Sequence, residues 1–226
     1  MKIQFLGTGA ADWPKIRKEG MSEYRRLSSA IIDGVLLIDP GPCVFDAMDE
    51  YGIDPEKIKY VINTHKHSDH FSKETLDKLT ACGAEFFPMS AGESANIGEY
   101  TLHALKANHG TCEGAVHFII SNGEKTLFYG LDGAWLLYEE YVAIKNCKPD
   151  LAVLDATIGD RDGDYRIFEH NNLSMVLEIK KTLDPYVKKI YISHMARTLH
   201  TDHNTLCERM SPFGVGVAYD GLEVEV

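Results

Sequence analysis

Cysteine is scarce in this chain, and its pattern is unhelpful for cross-linking. The five cysteines among 226 residues are Cys43, Cys82, Cys112, Cys147 and Cys207; they form no C-x-x-C pair and are odd in number. That argues against a disulfide framework and against a cysteine-based zinc site, and suits unreactive thiols in a reducing compartment. Long apolar runs are missing too, so no stretch of sequence has the length of a membrane span. The opening segment MKIQFLGTGAADWP does not read as a secretory leader, because Gly7, Gly9 and Asp12 interrupt its short apolar run. A cytoplasmic location is the expectation. Positive charge is in deficit: 23 Lys and Arg against 34 Asp and Glu give a net charge of −11. A protein that tracks a long phosphate backbone usually shows a basic patch or stripe, so no long nucleic acid is expected as partner. A small anionic substrate is still allowed, because a bound cation reverses the field locally. There is no solenoid repeat and no low-complexity linker. With 44% hydrophobic residues, the length suits a single domain over 1–226 with a sizeable core; a homodimer is compatible with all of this.

Local patterning gives an α+β reading. KIQFLG alternates and reads as a strand. SSAIIDGVLLIDPG reads as a hairpin turning at Asp33-Gly34, a favoured type I′ pair. HFIISNGEKTLFYG reads as a second hairpin turning near Asn122-Gly123, and VAYDGLEVEV as a third turning at Asp220-Gly221. Single strands are expected at KYVINT, YTLHALKA, DLAVLDA and KIYIS. SKETLDKLTACG has the marks of a helix, with Ser72 as N-cap, Gly83 past its end, and Phe71 and Leu76 spaced as a hydrophobic staple. NNLSMVLEIKKTLDP places Leu173, Val176 and Leu177 at helical spacing, with Asn171 as cap and Pro185 as stop. AMDEYG and TDHNTLCERM read as shorter helices, and WLLYEEYVAIKN is ambiguous. These elements imply mixed, largely antiparallel sheets with helices on their outer faces.

One stretch carries chemistry. In NTHKHSDHFS, the residues His65, His67, Asp69 and His70 fall between a strand and a helix start, where side chains converge on a site. Imidazole and carboxylate suit zinc, manganese or iron. His65 and His67 are two apart, so in an extended segment they point the same way; Asp69 and His70 follow where the chain turns. One segment cannot easily aim four ligands at one ion, whereas two metal ions resolve the geometry. By contrast, GTGAAD does not form a dinucleotide loop: Asp12 stands where the third glycine would, and Trp13-Pro14 does not continue as an amphipathic helix.

THKHSDH resembles the H-x-H-x-D-H signature of the metallo-β-lactamase fold superfamily. FLGTGAADWP and LLIDPGP are similar to that family's opening strands, and ANHG, YGLD and ISHM follow in family order. The resemblance covers nearly the whole chain and implies a four-layer αββα sandwich. It further implies that His65, His67 and His109 hold one ion, that Asp69, His70 and His194 hold a second, and that Asp132 bridges them. EHNNL resembles a segment of the family's phosphoribosyl cyclic phosphodiesterases of the carbon–phosphorus lyase pathway, which implies catalysis by His170. His200 is a further substrate-binding candidate. His103 and His117 are expected on a sheet surface or in the core, and His203 on a surface helix.

The loop ADWPKIRKEGMSEYRRLSS lacks the cysteines that hold a structural zinc in those phosphodiesterases. The long insertions of the tRNA 3′-processing endonucleases and of the RNA-cleaving nucleases are also missing. The resemblance thus implies a hydrolase with two divalent ions, acting through a hydroxide between them on a small cyclic or nucleotide-like phosphodiester. Asp69 and His170 are its catalytic candidates. Hydrolysis of a lactone or carboxylic ester, or metal binding without catalysis, are the alternatives.

Overall fold

The computed structural model describes residues 1–226. In chain order the elements are β1 (Lys2–Gly7), β2 (Ser29–Ile32), β3 (Leu36–Ile38), α1 (Val44–Tyr51), β4 (Tyr60–Ile62), α2 (Lys73–Ala81), β5 (Glu85–Phe86), β6 (Ser94–Ile97), β7 (Tyr100–Lys106), β8 (Val116–Ser121), β9 (Thr126–Gly130), α3 (Tyr138–Cys147), β10 (Leu151–Asp155), α4 (Leu173–Leu183), β11 (Lys189–Ser193), α5 (His203–Met210), β12 (Val215–Val217) and β13 (Glu223–Glu225). The chain divides into two compact units, residues 1–89 with 218–225, and residues 90–217 with 226. No helix is long and apolar enough to cross a membrane.

The first unit is built on a six-stranded sheet in the order β13-β1-β2-β3-β4-β5. The β2–β3 hairpin turns at Asp33 and Gly34, both with positive φ (49° and 73°), as a type I′ turn requires. Helices α1 and α2 cover one face of this sheet through Val44, Ala47, Met48 and Leu79, which pack with Leu6, Ile31, Leu37 and Val61. Helix α2 starts where its cap is expected: the Ser72 side chain accepts from the Thr75 backbone N–H at 3.3 Å.

The second unit carries a seven-stranded sheet in the order β12-β11-β10-β9-β8-β7-β6. Strand β10 lies between parallel neighbours and every one of its residues is buried, as a continuous apolar run in a parallel interior demands. Helices α3, α4 and α5 contribute Ile144, Leu173, Val176, Ile179, Leu183, Leu206 and Met210 to its core.

Three readings of the sequence need correction. The sheets are less antiparallel than expected. The first has three antiparallel and two parallel ladders, and the second has three of each. The third hairpin does not form: β12 pairs with β11 and β13 with β1, so the Asp220-Gly221 turn passes the chain from one sheet to the other. The cap of α4 is Asn172, which accepts from the Met175 N–H at 2.8 Å, while Asn171 turns its carbonyl oxygen to the Trp135 N–H at 2.7 Å. The ambiguous segment WLLYEEYVAIKN forms all but the last residue of helix α3.

Candidate functional site

In the first unit the HKHSDH stretch leaves β4 and folds back before α2. The His67 carbonyl oxygen accepts from both the His70 and Phe71 N–H groups, at 3.0 and 2.9 Å, and the Ser72 N–H is tied to the Pro40 carbonyl oxygen at 2.9 Å. This turn gathers the side chains: the His65 ring lies 4.7 Å from His67 and 4.4 Å from His70, centroid to centroid. His70 Nε2 sits 3.4 Å from Asp69 Oδ2. His65, Asp69 and His70 are buried.

Gly41 backs the turn so closely that a Cβ there would sit 2.6 Å from the Asp69 carbonyl oxygen. Asp39, in the LLIDPGP segment after β3, organises this corner. Its Oδ2 accepts from His70 Nδ1 at 2.8 Å, and its Oδ1 accepts from the Thr64 N–H at 2.7 Å and from Asn63 Nδ2 at 2.9 Å. Thr64 Oγ1 in turn lies 3.0 Å from His65 Nδ1.

Such outer partners set a ligand's orientation and basicity, and losing one typically lowers metal affinity about 10–100-fold. Asp39→Asn, which places an amide where a carboxylate holds His70, is therefore expected to weaken metal binding by roughly that factor in a chelator competition. An unchanged affinity would show that Asp39 serves the turn alone.

The second unit supplies His109, Asp132, His170 and His194, each at or just beyond a strand end or helix start. Asp132 follows β9, is buried, and adopts a positive φ of 58°; His194 follows β11 with φ 62°. Non-glycine residues in this region are uncommon and cluster at functional sites. Asp132 stands among three imidazoles: Oδ1 lies 2.9 Å from His194 Nδ1 and 3.7 Å from His170 Nδ1, and Oδ2 lies 3.9 Å from His109 Nε2. The His170 and His194 rings stack at 5.6 Å.

Asp155, the last residue of β10 and fully buried, joins the cluster although its sequence context did not single it out. Its Oδ2 accepts from His170 Nδ1 at 3.0 Å, and its Oδ1 from the Asn171 N–H at 2.9 Å. Thr157 Oγ1 donates to Asp155 at 2.8 Å and accepts from His194 Nδ1 at 2.7 Å. Burial alone would raise the Asp155 pKa, but His170 and His194 outweigh it and hold the carboxyl well below the usual range. Burial would lower the His170 pKa, but Asp155 and then Asp132 reverse the direction and raise it. The signal available beforehand was an unbroken apolar strand ending in aspartate, DLAVLD.

His109 Nδ1 donates to the Glu169 carbonyl oxygen at 3.3 Å. The His200 Nε2 lies 2.5 Å from the Ala156 carbonyl oxygen, so one of its nitrogens is spent on the turn that carries Thr157. The three histidines set aside fall as expected: His103 bonds Ser94 at the sheet surface, His117 is buried, and His203 lies on α5.

The donor chemistry fits divalent cations. Within the second unit, single ligand atoms of Asp132, Asp155, His170 and His194 lie within 4.8 Å of one another, a grouping able to hold an ion. His65, His70, His109 and His194 each have Nδ1 within hydrogen-bond distance of a neighbouring oxygen, the arrangement that orients metal-ligating imidazoles.

The family described as the metallo-beta-lactamase superfamily matches residues 28–73, a span that contains Asp39 and the whole HKHSDH stretch. The metallo-β-lactamase fold protein YhfI from Bacillus subtilis superposes with a TM-score of 0.76 at 17% identity, covering 100% of this chain and 99% of that one. The chain has the metallo-β-lactamase fold. A diphosphatase from the PhnP family shares that fold with a TM-score of 0.74 at 20% identity, covering 100% of this chain and 97% of its own. Human tRNase Z, short form, follows at 0.71 and 17%, covering 100% and 99%. No curated protein matches the sequence significantly. The metallo-β-lactamase fold supports several chemistries, so the reaction has to be argued from the residues.

Proposed function

We propose that residues 1–226 act as one catalytic domain, a dinuclear metal-dependent hydrolase of small cyclic or nucleotide-like phosphodiesters. In this reading His65, His67 and His109 hold one divalent ion, Asp69, His70 and His194 hold the other, and Asp132 is shared. Zinc, manganese and iron all suit this ligand set, and availability decides among them as much as affinity does. When bound, the ions supply Lewis acidity to the ester oxygen and lower the pKa of water toward about 7, giving a nucleophile at neutral pH.

The chain's own residues do the rest. Asp69 orients the attacking oxygen. His170, its Nδ1 held by Asp155 at 3.0 Å, presents Nε2 to the leaving oxygen and delivers a proton there, a general-acid step. His200, through its second ring nitrogen, and His170 contact the substrate. The observation that carries the reading is the His170–Asp155 pair beside Asp132: an acid, its orienting carboxylate and a candidate bridging ligand in one cluster. The net charge of −11 favours a small phosphoester over a long nucleic acid, whose partners usually carry a basic patch.

The test is a side-by-side rate comparison with manganese, zinc or iron added, on bis(p-nitrophenyl) phosphate, cyclic phosphodiesters and lactones. Metal-dependent turnover of the phosphodiesters above the lactones is expected. Preference for lactones would move the assignment to carbonyl esters. Two bound ions without hydrolysis of any ester would make this a metal-binding protein that lacks catalysis.

A further inference from the structure

His117 and Glu140 take no part in the chemistry described so far, yet both are almost completely buried. His117 lies on β8, and its Nδ1 donates to Glu140 Oε1 at 2.5 Å. The other carboxylate oxygen of Glu140 accepts from the Leu137 N–H at 2.8 Å, at the start of α3. Between β9 and α3 runs the segment Leu131–Leu136, which carries Asp132. The imidazole lies directly against this segment. A Cβ added to Gly133 would sit 2.6 Å from His117 Cε1 and 2.8 Å from Nε2, and one added to Gly130 would sit 3.5 Å from Nδ1.

The segment is strained, with Asp132 at φ 58° and Trp135 at φ 55°. Such conformations persist only where the surroundings over-determine them. Here they are held from several sides. The Ala134 N–H donates to the Asn108 carbonyl oxygen at 3.0 Å, and Asn108 Nδ2 donates to the Ala134 carbonyl oxygen at 2.7 Å. The Trp135 N–H donates to Asn171 Oδ1 at 2.7 Å. Asn108 precedes His109 and Asn171 follows His170, so the segment is laced to the neighbours of two site histidines.

We infer that the His117–Glu140 pair is a positioning device: it wedges the Gly130–Gly133 turn from beneath and sets where the Asp132 carboxylate stands relative to His109, His170 and His194. The inference rests on the reading of Asp132 as a metal ligand. His117 Nε2 is buried with no hydrogen-bond partner. A buried polar atom left in that state is a cost that stability alone does not explain; an apolar ring would fill the same space. Burial alone would lower the pKa of this histidine, but the adjoining Glu140 carboxylate outweighs it and raises it. Glycine at 133 is the complement of the wedge, since the imidazole needs the space a side chain would take there, while at 130 the Phe128 ring sets the same demand.

Glu140→Gln keeps an oxygen for the Leu137 N–H and removes the charge. The double variant H117F/E140Q keeps the volume and removes the ion pair. Leu206→Ala, a buried position on α5 in the same unit, is the control for general destabilisation. Two readouts are taken below the melting range of every variant: affinity for Mn²⁺ and Zn²⁺ by chelator competition, and amide exchange at Gly133 and Ala134 in metal-free protein.

Both brace variants are expected to lose about tenfold or more in affinity for at least one ion and to exchange faster at Ala134, while L206A changes neither. Wild-type affinity and exchange in H117F/E140Q would overturn the inference, as would equal losses in L206A. If the wild type binds no metal while Ala134 exchanges faster only in the brace variants, the dinuclear reading falls and the positioning role of the pair stands.

Discussion

Asp132→Ala is expected to abolish metal-dependent phosphodiester hydrolysis and to reduce metal content. A single buried carboxylate faces three imidazoles within 4 Å, His194, His170 and His109. Alanine removes that anion and also leaves a Cβ-bearing residue at φ 58°, where only glycine and, to a lesser degree, asparagine and aspartate are at ease. Asp132→Asn separates the two effects, because asparagine tolerates the backbone and keeps the shape but not the charge. D132N is expected to fold like the wild type, with activity at background and metal depleted. Full turnover in D132N would remove Asp132 from the centre.

His170→Ala carries the second largest effect, and its signature depends on the leaving group. A general acid contributes about 10²–10⁴-fold, but only where the departing oxygen needs a proton. On a phosphodiester with an alkyl or sugar leaving group, kcat is expected to fall by that factor; on bis(p-nitrophenyl) phosphate, whose phenolate leaves unaided, it is expected to change little. Asp155→Asn is expected to reproduce this selectivity, because Asp155 Oδ2 holds His170 Nδ1 at 3.0 Å. The two losses should not add, as is usual for residues that act as a unit. An equal loss on both substrates would make His170 a structural or metal-holding residue instead of the acid.

Much of the architecture could be read beforehand because it rests on local chemistry. Asp33-Gly34 announces its turn through two left-handed positions, and Ser72 announces α2 through one side-chain bond. The candidate ligands were legible because HKHSDH is dense in donors and because His109, Asp132 and His194 each follow a strand.

The misses have a common cause, which is pairing over distance. Asp220-Gly221 has good turn chemistry, but a turn does not decide which neighbour a strand takes, and here the flanking strands join β11 and β1. Asn171 and Asn172 are equally good caps on paper; the Trp135 N–H, 36 residues away, claims the first. Helix α3 was ambiguous because its buried positions include Glu140, whose partner His117 lies 23 residues earlier on a strand. Asp39 and Asp155 gained no role from periodicity, since their work is done on His70 and His170, 31 and 15 residues away.

The proposed ligand set is expected to hold two divalent ions per chain. Metal analysis of freshly purified wild-type protein, alongside His67→Ala and His194→Ala, tests it most directly. Two divalent ions per chain are expected in the wild type, with bound metal lost in each variant. A wild type with no bound divalent ion, even after reconstitution, would contradict it.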